Sequence, residues 1–207
     1  MPMKDLMENW KRYLTETSLT RIICMHMDDY DNAIISAFRS AYSRAENRER
    51  NRNLKAILLE QGYGVTRIFG SYIENFQTPQ ALEVQEESFV VHNRHQDPEF
   101  IANVAALGED FNQDSVLIVP IGAEGAYLLG TNPEGEFPEY GKQISVGALK
   151  AGCEAEFMSR VGKTKKPFTF AENMETYENL SRNSKWAVKK IVERIKKEKA
   201  AKNSPKS

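Results

Sequence analysis

The chain has 207 residues, of which 41% are hydrophobic and 28% charged, and its formal net charge is −1. This length and composition predict one folded domain with its own core and exclude a disordered chain. No apolar run reaches the roughly 18 residues of a membrane span, and the first residues lack the apolar core of a signal peptide. We therefore predict a soluble intracellular protein that does not bind a membrane.

The first third of the chain alternates between helical and extended patterns. Residues 3–16 have the apolar spacing of an amphipathic helix, and residues 20–27 form a short apolar run typical of a buried strand. Residues 30–61 have a helical pattern with two apolar stripes, and the charged stretch between them predicts a break or an exposed joint near residues 46–50. Gly62 is placed to end this helix.

The remaining elements follow in an order that is typical of a sheet with packed helices. Strands are predicted at residues 65–73 and 82–93, followed by a helix that Asp97 caps, that Pro98 opens and that ends near Asn112. Further strands are predicted at residues 115–121, 126–130, 143–146, 156–161 and 167–170, and a tail helix is predicted at residues 177–199.

These elements predict an α+β fold, a single domain with a central antiparallel or mixed sheet and packed helices, plus terminal helices. The predicted parts are an amphipathic leader helix at residues 1–17, the domain at residues 18–171, and a basic helix and tail at residues 172–207. The charge is divided between them. Residues 182–207 hold ten Lys or Arg against two Glu, whereas residues 1–181 hold 18 Lys or Arg against 27 Asp or Glu.

The basic stretch that begins at Arg182 and ends at Lys206 has two interpretations. Its cations can bind nucleic-acid phosphates by releasing counterions, with an affinity that falls as salt rises. The same helix has an apolar stripe, and the rest of the chain is acidic, so it can also dock on the domain. We predict that a protein partner or nucleic acid binds through this tail.

Two junctions between polar and apolar residues form the candidate functional site. At the first, Glu86 and Glu87 precede Ser88 and an apolar run, and the strand period points the two carboxylates to opposite faces. A carboxylate held near a core has a raised pKa, as general acid or base chemistry requires. The alternative is a solvated carboxylate at a sheet edge.

The second junction lies where a predicted helix meets the next strand. Gln113, Asp114 and Ser115 stand at this point, where loop residues often face a ligand, although Asp and Ser there also satisfy free backbone groups. Ser71 and Tyr72 follow a glycine inside a predicted strand, which allows either a ligand or a neighbouring helix to approach closely.

The sequence lacks the motifs that are typical of phosphate-binding, nucleophile and metal sites. There is no glycine-rich phosphate loop, no G-x-S-x-G elbow and no metal-ligand spacing, so we predict no cofactor and no metal. The arginines of residues 30–61 include Arg39, which can hold a phosphate or carboxylate or form part of a salt-bridged surface. The candidate catalytic residues are therefore Glu86, Glu87 and Asp114, and the candidate ligand-binding residues are Arg39, Ser71, Tyr72, Ser88, Gln113 and Ser115.

The order of short motifs along residues 54–132 resembles a small, poorly characterised domain family of bacteria and their phages. The motifs are G-Y at residues 62–63, G-x-Y at 70–72, E-x-S-F-x-V at 86–91 and L-G-x-x-F-x-Q-D-S at 107–115. This resemblance implies a fold and gives no activity. The leader at residues 3–16 resembles those of T-even-like marine tailed phages, some of which are cut after an L-x-E sequence such as Leu14-Thr15-Glu16.

We therefore predict a phage-encoded accessory protein, non-enzymatic or of uncharacterised activity, that binds a protein partner or nucleic acid and is located in the host cytoplasm or carried in the virion. The alternative is a small nucleotide-directed enzyme, a hydrolase or transferase with a Glu, Gln and Asp site at the strand entrances. The two hypotheses separate on geometry. The enzyme requires a carboxylate of the first junction, Asp114, Ser71 and either Arg39 or Arg67 to converge in one cleft.

Overall fold

The computed structural model of this protein describes residues 29–74, 82–122, 125–135, 138–147, 157–159 and 175–203. Their strands are β1 (Asn32–Ser36), β2 (Gly64–Glu74), β3 (Leu82–His92), β4 (Ser115–Val119), β5 (Ala126–Gly130), β6 (Gln143–Gly147) and β7 (Phe157–Ser159). Their helices are α1 (Arg44–Glu60), α2 (Phe100–Asp110) and α3 (Arg182–Asn203). The predicted leader helix and the predicted strands at residues 20–27 and 167–170 lie outside the described residues.

The strands form one sheet in the order β6-β5-β4-β1-β3-β2-β7, and all paired neighbours are antiparallel. The predicted α+β fold with a central sheet is confirmed. β1 lies at the centre, between β3 and β4, and its last residue Ser36 lies opposite Ser88. The pairing of β2 with β3 continues beyond that point, through residues 69–74 and 82–87, and forms what we call the hairpin extension.

The position of β1 shows that the prediction of a helix from residue 30 was wrong. Ala33 and Ile35 face one side of the sheet, and Asn32 and Ser36 face the other, so the side chains alternate with a period of two. All four residues are buried. A strand that is buried on both faces has no solvated side to reveal its period, and its apolar residues fitted a helical spacing by coincidence.

The predicted break near residues 46–50 was also wrong, because α1 runs through this stretch without interruption. The helix begins with a capping box, in which the Ser43 hydroxyl accepts from the backbone of Glu46 and the Glu46 carboxylate accepts from the backbone of Ser43. Its first turns bury Asn47 and Asn51 in place of apolar side chains. Gly62, with φ +88°, follows the end of the helix as predicted.

The second helix begins slightly later than predicted. Asp97 accepts a hydrogen bond from the backbone N–H of Glu99 at 2.9 Å, so it caps the turn that precedes α2, which starts at Phe100. At the other end Asn112 has φ +52°, a left-handed conformation that asparagine tolerates. This conformation turns the chain from α2 into β4.

The main core lies between the sheet and the helices α1 and α2, which pack on the same face. Its buried side chains include Leu54 and Leu58 of α1, Phe100 and Val104 of α2, and Ala33, Ile35, Phe89, Val91 and Ile118 of the strands. In the register of the sheet these strand residues all point to one side. Burying each of the larger side chains contributes about 1.5–3 kcal/mol, so this layer fixes the geometry of the sheet.

The basic helix α3 docks on α1. Val188 and Val192 are buried in the interface. The Arg194 guanidinium lies 2.8 Å from the carboxylate of Glu49, and the Lys196 ammonium lies 3.4 Å from the carboxylate of Glu60, both on α1. Docking on an acidic body was one of the two interpretations of this tail. Binding of nucleic acid by its other cations stays a prediction.

Among the helices in the described ranges, none is both long and apolar enough to cross a membrane.

Candidate functional site at the sheet edge

Most of the candidate residues from the sequence analysis lie along one edge of the sheet. At this edge, called the strand-entrance edge below, β1 ends at Ser36, β4 begins at Ser115, β5 ends at Gly130, and Glu87 lies one residue beyond the end of β1. Both sequence junctions therefore lie at the same edge. They are not on adjacent strands, because β1 lies between β3 and β4, and strand spacing puts them about 10 Å apart.

Residues 37–42, the loop that connects β1 to α1, are held by two asparagines of α1. Asn47 accepts from the backbone N–H of Arg39 and donates to its carbonyl, both at 2.9 Å. Asn51 accepts from the N–H of Ala37 at 2.8 Å and donates to the carbonyl of Glu87 at 2.7 Å. These bonds satisfy buried backbone groups and fix the loop.

The sequence analysis missed the roles of Asn47 and Asn51, although a signal for them exists. Asparagine is unfavourable inside a helix, because its side chain competes for backbone hydrogen bonds. Two asparagines four residues apart lie on the same face of a helix. Such a pair indicates a polar, buried face with a specific partner.

Arg39 projects from this fixed loop and forms an ion pair with Asp114. The guanidinium Nη1 lies 2.7 Å from Oδ2 of Asp114, and the side chains are 31% and 49% exposed. The other carboxylate oxygen of Asp114 accepts from the amide of Asn132 at 2.8 Å. Burial alone would raise the pKa of Asp114, but the hydrogen bonds from Arg39 and Asn132 outweigh it and lower the pKa below its ordinary value.

A second guanidinium lies beside the first. Arg50 donates to the carbonyls of Ala37 and Phe111, and its guanidinium carbon lies 4.5 Å from the ring centre of Tyr42, which is partly exposed. Burial and the neighbouring Arg39 lower the pKa of Arg50, and the guanidinium remains charged at neutral pH. The cluster of Arg39, Arg50 and Asp114 therefore carries one net positive charge.

Glu87 has a looser ion pair at the same edge. Its carboxylate lies 3.7 Å from the Arg67 guanidinium, and its side chain is 22% exposed. In the register of the sheet Glu87 follows the same side as Phe89 and Val91, which is the side covered by the helices. A carboxylate at this distance from a cation is attracted without being fixed by a short hydrogen bond.

The other candidates of the two junctions have structural contacts. The Gln113 amide donates to the carbonyls of Phe38 and Phe111, at 3.1 and 3.2 Å, and so helps to hold the loop of residues 37–42. Ser88 is buried on the face of the sheet opposite Glu87. Ser115 lies opposite the last residue of β5.

Ser71, Tyr72 and Glu86 lie on the hairpin extension. The backbone of Ser71 is paired with β7, and Glu86 lies opposite Gly70. Their side chains are outside the description, so the convergence of these residues with Asp114 stays a prediction.

A buried polar chain lies at the opposite edge of the sheet. The Nδ1 atom of His92 lies 2.6 Å from Oδ1 of Asn32, and its Nε2 atom lies 3.4 Å from the hydroxyl of Thr66. Because the Asn32 amide group donates to the carbonyl of Tyr30, its Oδ1 must accept, and we assign a proton to Nδ1 of His92. The side chains of Asn32, His92 and Thr66 are almost completely buried, so we assign a structural role to this set of hydrogen bonds.

Next to that edge is a cavity of about 320 Å³, which is the size of a small-molecule site. It is lined by the carboxylates Asp29, Asp31 and Asp97 and by the apolar side chains Phe100, Ile101 and Ile121. Two of these carboxylates are already engaged. Asp31 accepts from the backbone of Ile121, and Asp97 accepts from Tyr63.

Within the described part of the chain, no three His, Cys, Asp or Glu side chains form a group that could hold a metal ion.

The comparison with known families bears directly on the function. The model of the S-adenosylmethionine lyase family matches residues 33–189, about three quarters of the chain, whereas no curated protein matches it. The match agrees with the predicted membership of a small domain family, but the phage origin and the leader stay predictions. It overturns the prediction of a non-enzymatic accessory protein, because the family is one of enzymes. The alternative, a small nucleotide-directed enzyme, agrees better, although the matched family is one of lyases and not of hydrolases or transferases.

Proposed function

We propose that this chain, which belongs to the S-adenosylmethionine lyase family, is an enzyme that cleaves a carbon–sulfur bond of S-adenosylmethionine. The observation that carries this proposal is the family match, which extends from β1 into α3 and includes the whole strand-entrance edge. The charged groups of that edge support the proposal, since the substrate has a cationic sulfur, a carboxylate and an ammonium group. We place the substrate at this edge.

The chemistry sets what the site must provide. A lyase breaks the bond without adding water, and the sulfonium sulfur leaves as a neutral thioether, so positive charge disappears as the bond breaks. In one route a base removes a neighbouring proton and an alkene forms. In the other route the carboxylate of the substrate displaces the sulfur and a lactone forms. Only the first route needs a base from the protein, but both require the substrate to be held in one conformation.

Glu87 is the residue that we propose to act at the sulfonium. Its carboxylate is only partly exposed and is loosely paired with Arg67 at 3.7 Å, whereas Asp114 is held by two short hydrogen bonds. A loosely paired carboxylate can approach a cationic sulfur, and in the elimination route it can accept the proton. Its backbone is fixed by Asn51, which limits the positions that the side chain can reach.

The activity can be tested with the full chain and S-adenosylmethionine in water enriched in ¹⁸O, with products identified by mass spectrometry. We expect loss of the substrate and release of a thioether, with no ¹⁸O on the carbon that left the sulfur. An alkene product identifies elimination, and a lactone identifies displacement. A label on that carbon would show hydrolysis, and an intact substrate would reject the proposed activity.

The variant Glu87→Gln tests the proposed residue. Loss of a general base lowers the rate by about 100-fold or more, and loss of electrostatic attraction alone lowers it less. Lys197→Ala, a change on the exposed side of α3, is the control and should keep the wild-type rate. If Glu87→Gln cleaves as fast as the control, Glu87 has no role at the sulfonium.

A further inference from the structure

We propose that Arg39 and Asp114 form a clamp for the amino-acid end of the substrate, in which Arg39 binds the α-carboxylate and Asp114 binds the α-ammonium. This assignment rests on the proposed function, because it concerns the same substrate. It goes further by fixing which end of the substrate lies at β4 and which groups recognise it.

The pair has the spacing that an amino acid needs. Standard bond lengths and angles put the nitrogen and the carboxyl carbon of an amino acid about 2.5 Å apart. A single recognition site for both groups therefore needs a cation and an anion side by side, and the guanidinium of Arg39 lies 2.7 Å from the carboxylate of Asp114. When the ligand binds, the ion pair between Arg39 and Asp114 is replaced by two new ion pairs, one between Arg39 and the α-carboxylate and one between Asp114 and the α-ammonium.

Both members of the pair are available and held in place. Their side chains are 31% and 49% exposed, so a ligand can reach them from solvent. Asn47 fixes the backbone of Arg39 through its N–H and its carbonyl, and Asn132 holds one oxygen of Asp114. Groups that are fixed before binding lose less conformational entropy when the ligand arrives.

The surrounding charge favours the carboxylate end at Arg39. Arg50 lies close to Arg39 and is anchored by hydrogen bonds to the carbonyls of Ala37 and Phe111, so it adds positive charge beside Arg39 from a fixed position. Two guanidiniums against one carboxylate leave an excess of positive charge where the α-carboxylate would bind. A guanidinium can also hold a carboxylate with two parallel hydrogen bonds. The lowered pKa of Asp114 keeps its carboxylate ionised for the ammonium group.

The test compares two ligands that differ in the amino-acid end. S-adenosylhomocysteine has the amino acid and lacks the reactive sulfonium, whereas 5′-methylthioadenosine lacks the amino acid. Dissociation constants of both are measured by isothermal titration calorimetry for the wild type, Arg39→Ala and Asp114→Asn. We expect each variant to bind S-adenosylhomocysteine about tenfold or more weakly, as loss of one charge-assisted interaction predicts, and to bind 5′-methylthioadenosine within about twofold of the wild type.

The control is Arg52→Ala, which removes an arginine of α1 that forms an exposed ion pair with Glu49. It should change neither constant. Thermal melting of every variant establishes that the fold is intact, and Arg39→Lys provides a second variant in which the charge is kept but the fork geometry is lost.

The possible failures are distinguishable. Equal weakening of both ligands, or no weakening of either one, would overturn the clamp while leaving the proposed cleavage untouched. A wild-type protein that cleaves S-adenosylmethionine but does not bind S-adenosylhomocysteine would also overturn the clamp alone. A protein that neither binds nor cleaves would overturn both proposals.

Discussion

The side-chain amide of Asn51, on α1, donates a hydrogen bond of 2.7 Å to the main-chain carbonyl of Glu87, at the strand-entrance edge of β3. Its carbonyl oxygen accepts from the backbone of Ala37 at 2.8 Å. One buried side chain therefore connects the helix, the loop of residues 37–42 and the strand that carries the proposed catalytic carboxylate. This connection makes the geometry of the site depend on the packing of α1.

Replacing Asn51 with Ala should lower the free energy of unfolding by about 1–3 kcal/mol, because the backbone N–H of Ala37 loses its buried acceptor, whereas the carbonyl of Glu87 keeps the hydrogen bond from the Ser36 hydroxyl. Guanidinium denaturation measures the change. Asn53→Ala is the matched control on the same helix, since its side chain only accepts from Arg194 at the surface, and it should cost less than about 1 kcal/mol. Equal costs for the two variants would contradict the buried role of Asn51.

Tyr63 should make the free energy of unfolding depend on pH in the alkaline range. Burial, followed by the hydrogen bond that its hydroxyl donates to Asp97 at 2.6 Å, raises the pKa of Tyr63 to about 12 from an ordinary value near 10. The unfolded chain therefore loses this proton first as pH rises. The stabilisation is fully present below pH 10 and is lost between about pH 10 and pH 12.

The comparison is with Tyr63→Phe, which has no such proton to lose. We expect the difference in unfolding free energy between the wild type and Tyr63→Phe to shrink as pH rises from 10 to about 12. Tyr177→Phe removes a tyrosine elsewhere and serves as the control. A difference that stays constant across this window would show that the Tyr63 hydroxyl has the same pKa in the folded and unfolded chains.

Gly130 should tolerate no side chain. A Cβ atom there would overlap the backbone oxygens of Pro138 and Glu139, and backbone atoms cannot move aside as the end of a flexible side chain can. We expect Gly130→Ala to cost about 3 kcal/mol or more, measured by chemical denaturation. Gly122→Ala is the control, because its Cβ would meet nothing within 4 Å and only its φ of +63° opposes the change, at about 1 kcal/mol. Similar costs would reject the overlap.

The docking of α3 should depend on its apolar contacts more than on its charges. Val192 is buried against the domain, whereas Arg194 pairs with Glu49 at an exposed position. Val192→Ala should lower the free energy of unfolding by about 2 kcal/mol, and Arg194→Ala by less than about 1 kcal/mol, with the latter loss reduced further in 1 M salt. If the arginine variant is the more destabilised, the helix is held mainly by charge.

Local patterns in the sequence identified most of the elements. The hairpin of β4 and β5, the long strands β2 and β3 and the end of α1 at Gly62 all agree with turn residues and periodicity. The prediction failed at β1, because this strand is buried on both faces and shows no alternation between polar and apolar residues. It failed at the start of α1, because the inward face there is polar, with Asn47 and Asn51 in place of leucines.

The sequence by itself determined that the chain has a central sheet with packed helices. The spacing of apolar residues, every two residues in a strand and every 3.6 residues in a helix, is a property of neighbouring residues and can be read without the fold. It also identified Asp114 and Glu87 as polar residues beside apolar strands. Only the tertiary structure decided that β1 lies between β3 and β4, that α3 docks on α1, and that Arg39 reaches Asp114 across 75 positions of the chain. Such contacts depend on which strands pair, and strand pairing brings together residues that no local pattern connects.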